Sequence, residues 1–220
     1  MEFFLRKIYP WLIEVGTLWS VVPLIAGLFL LRKPKQDMRF WLLFLLAAVS
    51  VLSEGVGQLV VYLGSKNNLW VMHTYTLLEF LILAAVYYYS FNSKVFKRGI
   101  ILATVFFVSI CYMDAFVMEG VNQMNSAAKM VNNALLMLLS ILYFYKVAND
   151  QAITYLDRDP IFLLSCSLLI YKAGTTMSYA LFNQALAASY DAARICITII
   201  LVLNILYYTA LLFILKRATT

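Results

Sequence analysis

Seven long apolar runs follow one another along the 220-residue chain, separated by short polar segments. Each run has the roughly 20 residues that an α-helix needs to cross the hydrocarbon core of a bilayer. Because the runs use nearly the whole chain, we predict one all-α domain over residues 1–220, a polytopic integral membrane protein with seven transmembrane helices. The predicted spans are residues 10–31, 40–63, 69–91, 99–116, 127–145, 160–183 and 192–215.

Local signals mark several of the predicted helix ends. Asp159 followed by Pro160 is typical of an N-cap and the first helical position, where a missing N–H costs nothing. Pro23 lies inside the first span and predicts a kink there. The segment from Gly64 to Asn68 has the composition of a turn.

The basic residues predict the orientation of the chain. Eleven of the 17 Lys and Arg follow spans 1, 3, 5 and 7, whereas four lie on the opposite side. Since Lys and Arg are concentrated in cytoplasmic loops, we expect the N-terminus outside and the C-terminus in the cytoplasm of a bacterial inner membrane. The net charge of +6 is then a topology signal. The lipid bilayer is the expected partner, and a nucleic-acid partner is not.

This orientation gives a first prediction. A reporter that is active only in the cytoplasm, fused after Thr220, is expected to give a signal, because the basic asymmetry keeps Lys216 and Arg217 inside. A signal obtained only from a reporter that needs the periplasm would contradict the orientation.

Polar side chains within the spans gather towards the predicted outer half. Lipid cannot solvate them, so we expect them to point into the bundle and meet one another. Helical spacing supports this, since Lys172, Thr176 and Tyr179 share one face of span 6 and Lys129 and Asn133 share one face of span 5. The predicted ligand-binding residues are Glu54, Gln58, His73, Glu79, Lys129, Asn133, Lys172, Thr176 and Tyr179.

The signs of these charges separate along the chain, with acids in spans 1–3 and bases in spans 5 and 6. Pairing across the two halves would offset the cost of charge in the bilayer, about 2.5–3.5 kcal/mol per group on insertion scales. Glu54 with Lys172 is the preferred pair, and Glu79 and Glu14 are the alternative partners of Lys172.

Other chemistries find less support in the residues. His73 with Glu79, Glu54 or Asp114 is a possible metal-ligand set, but there is only one histidine and no HExxH spacing. Glu54 and Glu79 are candidate acid–base residues without an accompanying catalytic motif, so a non-enzymatic function is preferred and no catalytic residue is predicted. Retinal on Lys172 is disfavoured because the last span has no lysine. We therefore predict no cofactor and no metal site.

Two stretches carry a resemblance. The segment Asn67-Asn68-Leu69-Trp70 with His73-Thr74-Tyr75-Thr76-Leu77-Leu78-Glu79-Phe80, and Leu169-Ile170-Tyr171 before the polar stretch of span 6, are similar to small uncharacterised seven-helix membrane proteins of bacteria. The resemblance covers the full chain. It implies the seven-helix fold and no particular activity.

The preferred function is that of a sensor or receptor subunit, which binds a small polar or charged ligand in an outward-facing pocket within the membrane. The cytoplasmic loops and tail are short, so signalling is expected to need a cytoplasmic or membrane partner protein. The alternative is a small-solute or proton-coupled transporter, in which two groups of three spans flank span 4 as an inverter. A third hypothesis is a structural subunit of a membrane complex whose buried ion pairs fix the helix arrangement.

Overall fold

Seven long helices make up the chain in a computed structural model that describes residues 7–32, 36–65, 67–118, 120–149 and 155–219. They are α1 Tyr9–Leu30, α2 Met38–Tyr62, α3 Leu69–Ser90, α4 Lys94–Met113, α5 Ser126–Asn149, α6 Pro160–Ala188 and α7 Tyr190–Arg217. All seven are long and apolar enough to cross a membrane, which confirms the predicted all-α, seven-helix membrane class. Arg6, residues 33–35 of the first basic loop, Lys66 of the predicted turn and Thr220 lie outside the described residues.

Several helices extend further than the apolar runs do. α4 begins at Lys94, so the basic residues Lys97 and Arg98 lie in its first turns, and α6 continues past residue 183 to Ala188. The backbone of Ser93 is extended, and its carbonyl accepts a hydrogen bond from the Lys97 N–H at 3.1 Å. Hydropathy detects only the apolar part of a helix, whereas the backbone hydrogen bonds continue into the polar flanks.

Side-chain caps account for where α6 and α7 begin. Asp159 accepts a hydrogen bond from the Ile161 N–H at 3.0 Å, with Pro160 at the first helical position, which confirms the predicted cap. Ser189 separates α6 from α7, because its N–H donates to the Ala185 carbonyl at 2.9 Å and its Oγ accepts from the Ala192 N–H at 3.1 Å. One extended residue thus reverses the chain.

The helices alternate in direction and close into a ring. α1 packs on α2 and α7, α2 on α3, α3 on α5, α5 on α6 and α6 on α7, while α4 lies outside this ring against α3 and α5. Asn68 at the start of α3 donates to the carbonyl of Gly57 near the end of α2 at 3.2 Å. We call the end where α1, α3, α5 and α7 begin the N-terminal end of the bundle, and the opposite end the C-terminal end.

α1 approaches its neighbours closely because its buried face consists of small residues and a proline. These are Gly16, Ser20, Pro23 and Gly27. A β-carbon added at Gly16 would lie 3.0 Å from Leu201 of α7, and one at Gly27 would lie 2.5 Å from the Phe44 ring of α2. Small residues on one helix face let helices pack closely in membranes. This contact covers the seam between α2 and α7.

Candidate functional site

A buried cluster of charged and amide side chains joins α3, α5 and α6; we call its four members, Glu79, Lys129, Asn132 and Lys172, the Glu79 cluster. Lys172 Nζ and Asn132 Nδ2 each donate to Glu79 Oε2 at 2.8 Å. Lys129 Nζ lies 3.8 Å from the same oxygen. Glu79, Lys129 and Lys172 are each 1% exposed. Ionised groups that are buried away from water need partners of opposite charge. Here one carboxylate lies next to two ammonium groups.

The helical spacing seen in the sequence explains how α5 and α6 present these groups. Lys129 and Asn133 are four residues apart and therefore lie on the same face of α5. Both side chains are buried. Asn133 Nδ2 donates to Thr176 Oγ1 at 3.1 Å and to the Lys172 carbonyl at 3.4 Å. A polar seam between α5 and α6 therefore holds the cluster, as expected from side chains that lipid cannot solvate.

The preferred pairing of Glu54 with Lys172 is wrong. Lys172 instead forms an ion pair with Glu79, one of its two alternative partners. Glu54 accepts a hydrogen bond from Thr17 Oγ1 of α1 at 3.1 Å. The spacing along α2 and α6 places each residue on a polar face at a given depth, but it does not say which helices face each other. In the ring, α2 lies between α1 and α3, and α3 supplies the carboxylate.

A cavity of about 340 Å³ lies beside the Glu79 cluster, between α2, α3, α6 and α7. This volume falls within the range of small-ligand pockets, roughly 300–1,000 Å³. Four predicted residues line it, namely Glu54, Gln58, Lys129 and Tyr179. The other polar lining residues are Ser50, Ser53, Asn68, Tyr75, Tyr171, Asn204 and Tyr208.

Lys129 is the residue that belongs to both the cluster and the cavity wall. Its ammonium lies 5.1 Å from the ring centre of Tyr75 and 5.2 Å from that of Tyr179. Both distances are within the range of cation–π interactions. The Tyr75 hydroxyl lies 3.2 Å from Ser50 Oγ, which links this corner of the cavity to α2. The buried positive charge of Lys129 therefore lies at the cavity wall, next to the rings of Tyr75 and Tyr179.

The remaining predicted residues take other places. Glu79, Lys172, Asn133 and Thr176 are not among the cavity-lining residues and form the cluster and the seam behind it. His73 lies towards the N-terminal end, with Nε2 3.2 Å from the Gln123 carbonyl and Nδ1 3.7 Å from Asp114 Oδ2.

The metal hypothesis finds no support in the arrangement of these groups. Of the acids considered for it, Asp114 approaches His73. Across the described ranges, no group of three or more His, Cys, Asp or Glu is placed to hold a metal ion.

Among the pocket residues that were not predicted from the sequence are Tyr75, Asn204 and Tyr208. All three line the cavity. The isolated Asn204 within the apolar run of α7 was the available signal, because an amide in lipid is costly and faces inward. Tyr75 and Tyr208 gave no such signal, since tyrosines are common in cores and at membrane interfaces.

A second polar group lies in the interior of the bundle, nearer the C-terminal end. The Tyr87 hydroxyl lies 2.9 Å from Ser140 Oγ and 3.0 Å from Ser165 Oγ, and all three side chains are fully buried. We call these residues the Tyr87 node. Beyond it, Tyr143 donates to Asp159 at 2.7 Å and Lys146 donates to the Ser90 carbonyl at 2.7 Å. These hydrogen bonds connect α3, α5 and α6 on the C-terminal side of the cavity.

No family model, curated protein or solved structure matches the chain. The resemblance to small bacterial membrane proteins is therefore supported only as far as the seven long apolar helices.

Proposed function

We propose that this multi-pass membrane protein binds a small polar or charged ligand in the cavity between α2, α3, α6 and α7, as the ligand-binding subunit of a sensor. The observation that carries the proposal is Lys129, a buried ammonium in the wall of a cavity of ligand size. Apolar pockets with a few convergent polar groups are the usual form of a small-molecule site. The loops between the spans are short, so a partner protein in the membrane or the cytoplasm would carry the signal.

Access from one side of the membrane is part of the proposal. With the N-terminus outside, Gln58 and Asn68 lie near the outer end of the cavity wall. Support comes from the Tyr87 node and the bonds of Tyr143 and Lys146, which pack the interior at the other end. A receptor needs one opening, whereas a carrier must expose its site alternately to both sides.

The helix layout favours a carrier as the second candidate. α1–α3 and α5–α7 follow the ring in the same order, and α4 lies outside it. Two parallel three-helix groups joined by a linker helix are one known design of transporters. This candidate differs from the sensor in requiring a path past the Tyr87 node.

Cysteine accessibility tests the proposal. In a variant with Cys111, Cys166 and Cys196 changed to Ala, a cysteine at Asn204 is expected to react with a charged, membrane-impermeant thiosulfonate, because Asn204 lines the cavity. A cysteine at Leu206, two residues further along α7 and 58% exposed on the outside of the bundle, is the matched control. It should stay unreacted in vesicles, since a thiol in lipid is neither ionised nor in contact with the reagent.

The side of addition separates the two candidates. Reaction of Asn204→Cys only from the face that carries the N-terminus supports the sensor. Reaction from both faces would favour the carrier. Absence of reaction at position 204 from either face would contradict ligand binding in this cavity and leave the structural-subunit hypothesis.

A further inference from the structure

We infer that the ligand of this cavity is an organic monoanion whose anionic group, a carboxylate or an equivalent acid, binds at Lys129. The inference rests on the proposed function and adds the charge of the ligand to it. It depends on the charge balance of the Glu79 cluster, on the surroundings of Lys129 and on the position of Glu54.

The Glu79 cluster holds one carboxylate and two ammonium groups. Lys172 and Asn132 take up Glu79 Oε2 at hydrogen-bond distance, 2.8 Å each. Lys129 at 3.8 Å from that oxygen is too far for a hydrogen bond. The ionised cluster therefore carries one positive charge more than its carboxylate offsets, and that charge belongs to the lysine in the cavity wall.

The described neighbours of the Lys129 ammonium are mostly aromatic. The Lys129 ammonium lies 3.8 Å from Glu79 Oε2 and over the ring faces of Tyr75 and Tyr179. Ring faces attract an ammonium without accepting its N–H groups as a carbonyl or carboxylate does. A buried ammonium gains most from a charge-assisted hydrogen bond to an anionic oxygen. An anionic ligand would supply that bond.

Glu54 limits the ligand to a single negative charge. It is the acid in the described cavity wall, one helical turn from Ser50, and its carboxylate is held by Thr17 of α1. A second anionic group near Glu54 would be repelled, whereas a hydroxyl or an amine at that end would find an acceptor. Apolar side chains also line the cavity, namely Leu69, Val71, Met72, Met124, Phe182, Ile197, Ile200 and Leu201. The wall thus suits an anion with a small apolar body.

Charge-selective thiol chemistry tests the inference without knowledge of the natural ligand. Asn204→Cys in the cysteine-free protein is treated with sulfonatoethyl, trimethylammonioethyl or hydroxyethyl methanethiosulfonate, which carry a negative, a positive and no charge. Each rate is divided by the rate of the same reagent with a small thiol in solution. The anionic reagent is expected to exceed the cationic one by about tenfold, the order of effect of one charge in a partly screened cavity.

Substitutions assign this preference to Lys129. Lys129→Gln should abolish it, and Lys129→Arg, which keeps the charge, should retain it. Lys146→Gln is the matched control, because it removes a lysine bound to the Ser90 carbonyl at the C-terminal end, away from the cavity. Glu54→Gln should increase the preference for the anion, and this second variant tests the charge balance even where Lys129→Gln does not fold.

The outcomes separate this inference from the proposed function. Equal normalised rates for the three reagents, or a preference for the cation, would show an accessible cavity and overturn the monoanion inference alone. No reaction with any reagent would overturn the proposed function and the inference with it. An anion preference that Lys129→Gln leaves unchanged would also overturn the assignment to Lys129.

Discussion

Glu79→Gln is expected to lower the free energy of unfolding by about 3–5 kcal/mol, the cost of leaving buried charge without its partner. The substitution keeps the size of the side chain and a hydrogen-bonding oxygen for Asn132, but it removes the carboxylate that lies beside both Lys172 and Lys129. Both lysines are then ionised without an acid, or neutral at a cost. Thermal unfolding in detergent, followed by circular dichroism, measures the loss.

A double variant shows whether the loss comes from the pair. Lys172→Met added to Glu79→Gln removes one of the two uncompensated lysines, so the double variant should lose clearly less than the sum of the single variants. Glu14→Gln is the matched control, since this carboxyl is exposed on α1 and its neutralisation should change stability by less than about 0.5 kcal/mol. Additive losses, or equal losses at Glu79 and Glu14, would contradict the cluster.

Gly27→Leu is expected to destabilise the contact between α1 and α2 by about 1–3 kcal/mol through overpacking. Even a β-carbon at residue 27 would lie 2.5 Å from Phe44 Cδ2. The half-buried Phe44 ring also lies parallel to the ring of the fully buried Phe40, with ring centres 6.3 Å apart. Thermal unfolding in detergent again measures the change, and α1 is expected to separate from α2.

Gly55→Leu provides the control with the same substitution in a neighbouring helix. No atom of another described helix lies within 4 Å of a β-carbon built on Gly55, and the residue is exposed on α2. Leucine there meets open space and gains helix propensity of up to about 1 kcal/mol over glycine. This variant should be neutral or slightly more stable. Equal destabilisation by Gly27→Leu and Gly55→Leu would mean that the close approach of α1 to Phe44 is not what matters.

The number and nature of the helices could be predicted from the sequence, because the bilayer imposes a local rule. A chain in lipid must satisfy its backbone hydrogen bonds within each span, so an apolar run of sufficient length is a helix. The cap at Asp159 and Pro160 could be predicted for a similar reason, since a cap bond joins residues two positions apart. Helix ends such as that of α4 at Lys94 were less accessible, because the helix continues into polar residues.

The inward faces could also be predicted, but the partners could not. Four of the side chains predicted to point inward are buried, as their spacing indicated, namely Lys129, Asn133, Lys172 and Tyr179. Which acid meets Lys172 depends on the neighbours in the ring, and helical periodicity carries no information on those neighbours. The sequence favoured Glu54 as the partner of Lys172, and only the packing of α3 beside α5 selects Glu79.

The seven long apolar helices and their polar faces could be derived from the sequence, because both depend on contacts within one helix and with its solvent. Helix packing, in contrast, brings one carboxylate close to two lysines and places Lys129 in the wall of a cavity. It also brings Asn204 and Tyr208 of α7 to the same cavity as Glu54 of α2. A cavity is the space that several packed helices leave unfilled between them, so it depends on all of them together. Its position depends on side chains more than 100 residues apart, which no local pattern relates.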